Sequence, residues 1–153
     1  MKKHIAYLKY VLLHKWFVFK ARKLTGCSLW RALVHDLSKF SLSEWLPYVN
    51  TFYDENGNGH YKPSVDFDYA WNNHQKYNKH HWQYWVLMND SGKTTLLQIP
   101  DKYIKELVAD WFGASMAITG KNDVKNWYNK NKDKMTIHAE SREKIERIIE
   151  NLS

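Results

Sequence analysis

The chain begins with a stretch, Ile5 to Leu24, that holds neither glycine nor proline and whose apolar positions run round most of a helical circumference. That pattern predicts a long helix buried on most of its sides. Thr25-Gly26 ends it, with Gly26 suited to the left-handed residue that follows a last turn. Ser28 can cap a short second helix, Leu29 to His35. Ser41 and Glu44 form a Ser-x-x-Glu capping box for a third helix reaching about Tyr53, with Pro47 in or near its first turn. The run from Asp54 to Val65, DENGNGHYKPSV, reads as one long polar loop. Asp66 or Asp68 then starts a helix through about Asn78, and His81 to Met88 continues as helix after a kink. Asp90-Ser91-Gly92 is a turn and Thr94 to Ile99 is extended. Pro100 and Asp101 open a helix that runs to about Ile118 and stops at Gly120. Asp123 to Lys130 is short and polar. Glu140 to Leu152 closes the chain as an amphipathic helix with Ile145, Ile148, Ile149 and Leu152 on one stripe. No repeat or linker divides these elements. The expected fold is all-α: a single compact helical domain over residues 1–153, with about six to seven helices and one long loop.

Composition supports a folded core, with 44% hydrophobic and 25% charged residues over 153 positions. Aromatic residues reach 16%, including eight Trp and ten Tyr, which suits either a ring-rich core or a ring-lined pocket that stacks a base. The formal net charge of +7 favours an anionic partner. A phosphate-containing small molecule is the expected one, with a nucleic acid or an acidic protein as alternatives. The single cysteine, Cys27, rules out a disulfide within the chain and a cysteine-built zinc site, and fits a reducing cytoplasm. Charged residues interrupt every apolar run, so neither a signal peptide nor a membrane span is expected, and no membrane partner.

The strongest chemical signal is His35-Asp36-Leu37-Ser38-Lys39-Phe40. An adjacent imidazole and carboxylate at a helix end suit a divalent cation such as Mn, Fe, Co or Zn, but could equally be a capping Asp beside a terminal His. His14 stands inside the apolar first helix. It is either a metal ligand or a core imidazole bonded to a backbone carbonyl. Asp110 falls in the row Tyr103, Leu107, Asp110, Ala114, Ala117, one helical face that is otherwise apolar. A carboxylate there needs a cation, either a metal or a Lys or Arg side chain. His74, His80 and His81 cluster within eight residues. On a continuous helix His74 and His81 share a face with Asn78 between them, and His80 points about a third of a turn away. They are ligands or exposed imidazoles.

The order of a lone His, a His-Asp pair and a late Asp on a separate helix resembles the HD-domain superfamily. That superfamily is helical, binds divalent metals and mostly hydrolyses phosphate esters. His35-Asp36-Leu37-Ser38-Lys39 is similar to its His-Asp-x-Gly-Lys variant, with Ser38 where that variant has glycine. The resemblance implies His14 as the first ligand, His35 and Asp36 as the pair, and Asp110 as the last. A closer likeness covers nearly the whole chain. RALVHDLSKFSLSEWLPY, AWNNHQKYNKHHWQYW, IPDKYIKELVADWFGA and NWY resemble an uncharacterised family of short phage and bacterial proteins, and HHWQYW is highly specific to it. If phage-encoded, the protein would work in the cytoplasm of a bacterial host.

The expected function is metal-dependent hydrolysis of a nucleotide or related phosphoester. The cofactor would be a divalent ion (Mn, Fe, Co, Zn or Mg) held by His14, His35, Asp36, His74, His81 and Asp110. Asp36, Lys39, Glu44 and Asp110 are the candidate catalytic residues, with Asp110 or Glu44 accepting a proton from water. Lys39 and His80 would contact phosphate, while Trp82 and Trp85 would wall the pocket. For Lys39 the plain alternative is a surface lysine, for Glu44 the capping box alone, and for the tryptophans core packing. The competing function is a metal-stabilised binding protein for a nucleotide, a nucleic acid or a host protein, without turnover. A third reading is a metal-free helical protein with a structural His cluster.

Overall fold

The computed structural model describes residues 1–152. Seven α-helices dominate: α1 Lys2–Thr25, α2 Leu29–Val34, α3 Leu42–Phe52, α4 Val65–Tyr77, α5 Asp101–Thr119, α6 Val124–Asn131 and α7 Ala139–Glu150. A two-stranded antiparallel ribbon, β1 Val86–Met88 and β2 Thr94–Leu96, pairs Val86 with Leu96. The all-α expectation holds, and the loop between α3 and α4 is tied by one bridge, Tyr53 to Gly59.

Several boundaries follow from local chemistry. Gly26 ends α1 with φ +72°, and Ser28 Oγ accepts from the Arg31 amide at the start of α2. Ser64, rather than Asp66 or Asp68, caps α4 by accepting from the Phe67 amide. The capping box at Ser41 does not form, because Ser41 Oγ meets Ser43 Oγ and the Glu44 side chain turns inward. Pro47 lies in the second turn of α3 rather than the first.

The largest difference lies after α4. The segment expected to remain helical from His81 to Met88 is instead a 3-10 turn, Trp82–Trp85, running straight into β1. Asn78 leaves the helix in an extended conformation, and its side-chain amide bonds back to the His74 carbonyl and forward to Ser38 Oγ. That break reorients His80 and His81 independently of α4.

The core is assembled around α5. One part joins α5, α6 and α7 through Ile104, Leu107, Val124, Tyr128, Ile145 and Ile149. Each such fully buried aliphatic side chain contributes about 1.5–3 kcal/mol. A second part seats Tyr7 and Val11 of α1 against Tyr48 and Val49 of α3 and Ala70 of α4. Between them α1 lies along α5, and Gly113 sets their spacing: a methyl group there would stand 2.5 Å from Val18 Cγ2 and 3.1 Å from the His14 carbonyl. This close approach brings His14 and Asp110 face to face. Only one side of α1 is buried, however. Ile5, Leu8, Leu12, Leu13 and Trp16 remain exposed, against the expectation of a largely buried helix.

Candidate metal centre

His35 and Asp36 follow the last turn of α2, and both side chains are fully buried. Two consecutive residues can both face inward because Asp36 adopts a left-handed backbone, φ +54°, alone among the described non-glycine residues. Asp tolerates this region better than most residues, and outliers of this kind gather at functional sites.

Around Asp36 the structure collects side chains from four helices. His14 Nε2 lies 3.2 Å from His35 Nε2 and 3.1 Å from Asp110 Oδ1. His35 Nε2 lies 3.3 Å from Asp36 Oδ2 and 3.2 Å from Asp110 Oδ1. On the other side of the same carboxylate, His74 Nε2 and His80 Nε2 each stand 3.5 Å from Asp36 Oδ1. His81 joins that second group from the segment after α4. Two donor sets therefore share Asp36: His14, His35 and Asp110 on one side, and His74, His80 and His81 on the other. His80, expected to point away from His74 and His81, lies in the middle, its ring 4.4 Å from that of His35.

On three of these rings, His35, His74 and His80, the outer nitrogen faces a carboxylate. Glu44 Oε2 accepts from His74 Nδ1 at 2.7 Å. Glu106 Oε1 accepts from His35 Nδ1 at 3.2 Å and lies 3.4 Å from His80 Nδ1, while Glu106 Oε2 takes Arg31 at 2.8 Å. A proton held on Nδ1 leaves the Nε2 lone pair of these three rings directed at the cluster, which is the usual preparation of a metal-binding imidazole. Ser38 Oγ ties the arrangement together by donating to Glu44 and accepting from Asn78. Lys39 Nζ pairs with Asp36 Oδ2 at 2.6 Å and is itself nearly buried.

Electrostatics are correspondingly uneven. Burial works to raise the Asp36 carboxyl, yet His35, Lys39 and His74 overcome it and hold Asp36 well below the usual carboxylate range. Asp110 goes the same way through His14 and His35. Burial likewise opposes ionisation of Glu106, but hydrogen bonds from His35 and His80 hold it down. Burial depresses His81, with the neighbouring His80 adding to the effect, so its imidazole stays neutral.

These residues fit a divalent cation. The Nε2 atoms of His74, His80 and His81 and the Oδ1 atom of Asp36 are buried without a hydrogen-bond partner. Donors bound about 2.0–2.2 Å from one ion stand roughly 3–3.5 Å from each other, close to the 3.1–3.6 Å separations within the first set. With nitrogen and carboxylate donors and no thiolate, the set suits Mn, Fe, Co or Zn better than a soft metal.

A cavity of about 850 Å³ opens beside the cluster. His14, Lys39, His74, His81 and Asp110 form its polar end, and Tyr7, Tyr10, Tyr48, Phe67 and Trp71 line much of the remainder, with Tyr61 from the loop. Trp82 and Trp85 do not line it. They pack instead on the core around α5 and α7, where Trp85 Nε1 donates to the Lys79 carbonyl. The structure thus brings His14, His35, Asp36, Lys39, Glu44, His74, His80, His81 and Asp110 to one place and leaves the two tryptophans aside. It adds Glu106, which the sequence reading passed over although it sits one turn before Asp110 on the same helix.

An all-helical domain with a buried imidazole–carboxylate cluster beside a ring-lined cavity is the class of protein that fold and site define. The sequence matches the profile of the family of unknown function DUF5662 over residues 3–151, and the chain belongs to that family. Neither the curated proteins nor the solved structures include a match.

Proposed function

We propose that this protein is a metal-dependent phosphohydrolase of the HD-domain kind, acting on a nucleotide or related phosphoester in the ring-lined cavity. The observation that carries the reading is the set of imidazole Nε2 atoms, with the Nδ1 atoms of His74, His35 and His80 engaged by Glu44 and Glu106, gathered around the carboxylates of Asp36 and Asp110. His14, His35, Asp36 and Asp110 would hold one divalent cation. Asp36 with His74, His80 and His81 would hold a second. A divalent cation there supplies Lewis acidity, withdrawing charge from a phosphoryl oxygen and acidifying water.

The remaining work falls to side chains. Asp110, which faces both cluster and cavity, accepts the proton of the attacking water. Lys39 lines the same end and offsets negative charge on the phosphate. Trp71, Tyr10 and Tyr48 exclude water and hold the organic part of the substrate. Glu44, the earlier candidate base, is a positioning residue, since Oε2 is committed to His74.

With Mn, Co or Mg supplied, the purified protein should release phosphate from a panel of nucleotides and aryl phosphates. His35→Ala should abolish release, and Lys39→Met should weaken it by on the order of 10²-fold while leaving metal content intact. Wild-type protein loaded with metal that turns over no phosphoester would contradict the reading. A metal-stabilised binding protein would then be favoured by one observation, the 2.6 Å pairing of Lys39 with Asp36, which engages the cation otherwise offered to a phosphate.

A further inference from the structure

A helix that is apolar all round is normally covered all round. α1 carries apolar residues round most of its circumference yet is covered on one side by α5, while the opposite side carries Ile5, Leu12 at 54% exposure and Trp16 at 51% among its lysines. The exposed apolar surface continues sideways. Lys15 reaches the backbone carbonyls of Leu33 and His35, fastening α2 and its following turn beside the Leu8–Leu12 row. Trp30 at 71% exposure, Leu33 and Leu37 are the exposed apolar residues of that neighbouring segment. Contiguous apolar surface of this kind marks an interaction site rather than chance exposure.

Charge indicates what meets it. Residues 1–43 hold nine of the chain's twenty-three lysines and arginines but one of its sixteen acidic residues, so this segment carries a formal +8 and the rest of the chain −1. The one acid is Asp36, buried in the cluster. On the outward face Lys2, Lys9, Lys20 and Lys23 are interleaved with the apolar residues, and none has an acidic partner among the described residues. A second copy of this face would bring like charge against like. Lysines in the middle of the patch also suit a protein interface poorly, since interface centres are depleted of lysine. They suit a lipid surface, where apolar and Trp side chains enter the headgroup boundary and lysine stems extend to anionic headgroups.

We propose that the outward face of α1 and α2 docks on an anionic lipid surface, with Ile5, Leu12, Trp16 and Trp30 entering the boundary and Lys9, Lys20 and Lys23 meeting the headgroups. The contact is interfacial; no helix among the described residues is long and apolar enough to cross a membrane. The face lies on the side of α1 away from the cavity, so docking leaves the metal centre open.

The test is co-sedimentation of the full chain with vesicles of phosphatidylcholine alone and of phosphatidylcholine mixed with phosphatidylglycerol. Binding is expected to the mixed vesicles only and should fall as salt is raised. The double variants L12E/W16E and K9E/K20E change exposed side chains only and should keep the wild-type melting curve. Each should lower vesicle partitioning by on the order of tenfold or more. The proposal is overturned if anionic vesicles do not bind the chain, if neutral vesicles bind it equally, or if both variants partition like wild type. It is overturned as well if light scattering finds a dimer that L12E/W16E separates.

Discussion

Glu106 engages two imidazoles and a guanidinium with a single carboxylate. Its replacement by glutamine keeps the shape but leaves an amide nitrogen facing either the two imidazoles or the Arg31 guanidinium, and removes the negative charge that all three share. Glu106→Gln should therefore weaken divalent-metal affinity by about 10–100-fold, the usual size of such outer-partner losses, as read by competition with a coloured chelator. Unchanged affinity would mean that the imidazoles are not oriented by this residue. Glu106 is hard to read from sequence because it lies off the row Tyr103, Leu107, Asp110, Ala114, Ala117, on which a carboxylate stands out against apolar neighbours. The spacing of four between the two acids was the available signal. His14, the His35-Asp36 pair and Asp110 were legible because a charged or imidazole side chain on an apolar face demands a partner. The tryptophans were not, since an indole in a core and an indole on a cavity wall leave the same trace in sequence.

Cys27 gives a prediction of a different kind. Burial pushes its thiol up to about 11, with the nearby Glu106 adding to the shift. The thiolate is the reactive form. Native protein should therefore react slowly with a disulfide reagent near pH 8 and faster as pH climbs toward that value, while unfolded protein reacts at the rate of a free cysteine. Rapid reaction of the native thiol at pH 8 would contradict the packing described for the α1–α2 corner.

At the scale of elements, the pairing of α1 with α5 rests on Gly113. Alanine would gain about 1 kcal/mol of helix propensity, but its methyl would meet Val18 at 2.5 Å, a stiff branched side chain, with the His14 carbonyl just behind. Overpacking of this sort costs about 1–3 kcal/mol, so Gly113→Ala should lower the melting temperature and, by spreading the helices that carry His14 and Asp110, loosen metal binding as well. A melting temperature at or above wild type would show that the helices yield easily. The helices themselves were readable from apolar period and end signals. The failure of helix to resume after Asn78 was not, because QKYNKHHWQYW contains no glycine or proline; the turn is held by a tertiary link from Asn78 to Ser38, forty residues earlier.

For the whole molecule, the cluster places three buried carboxylates, Asp36, Glu44 and Glu106, and the largely buried Asp110 among imidazoles at the meeting point of the helices, and cations are needed to offset their desolvation. Metal should accordingly stabilise the fold. Removing it with a chelator is expected to lower the melting temperature by several degrees, since ligand binding to the native state alone adds about 4 kcal/mol at a thousandfold excess over Kd. The overall all-helical architecture followed from the sequence pattern, whereas the uncovered side of α1 did not, because an apolar circumference predicts burial without saying what does the burying.

The central claim is that distant imidazoles and carboxylates were brought together to hold divalent metal. Elemental analysis of protein purified without chelator tests it most directly, alongside Asp36→Asn, which alters the residue common to both donor sets while keeping its volume. Wild-type protein should carry divalent transition metal in stoichiometric amount, approaching two ions per chain when supplemented, and Asp36→Asn should fall well below one. Wild-type protein that holds no metal even after supplementation, or an Asp36→Asn variant loaded like wild type, would contradict the account.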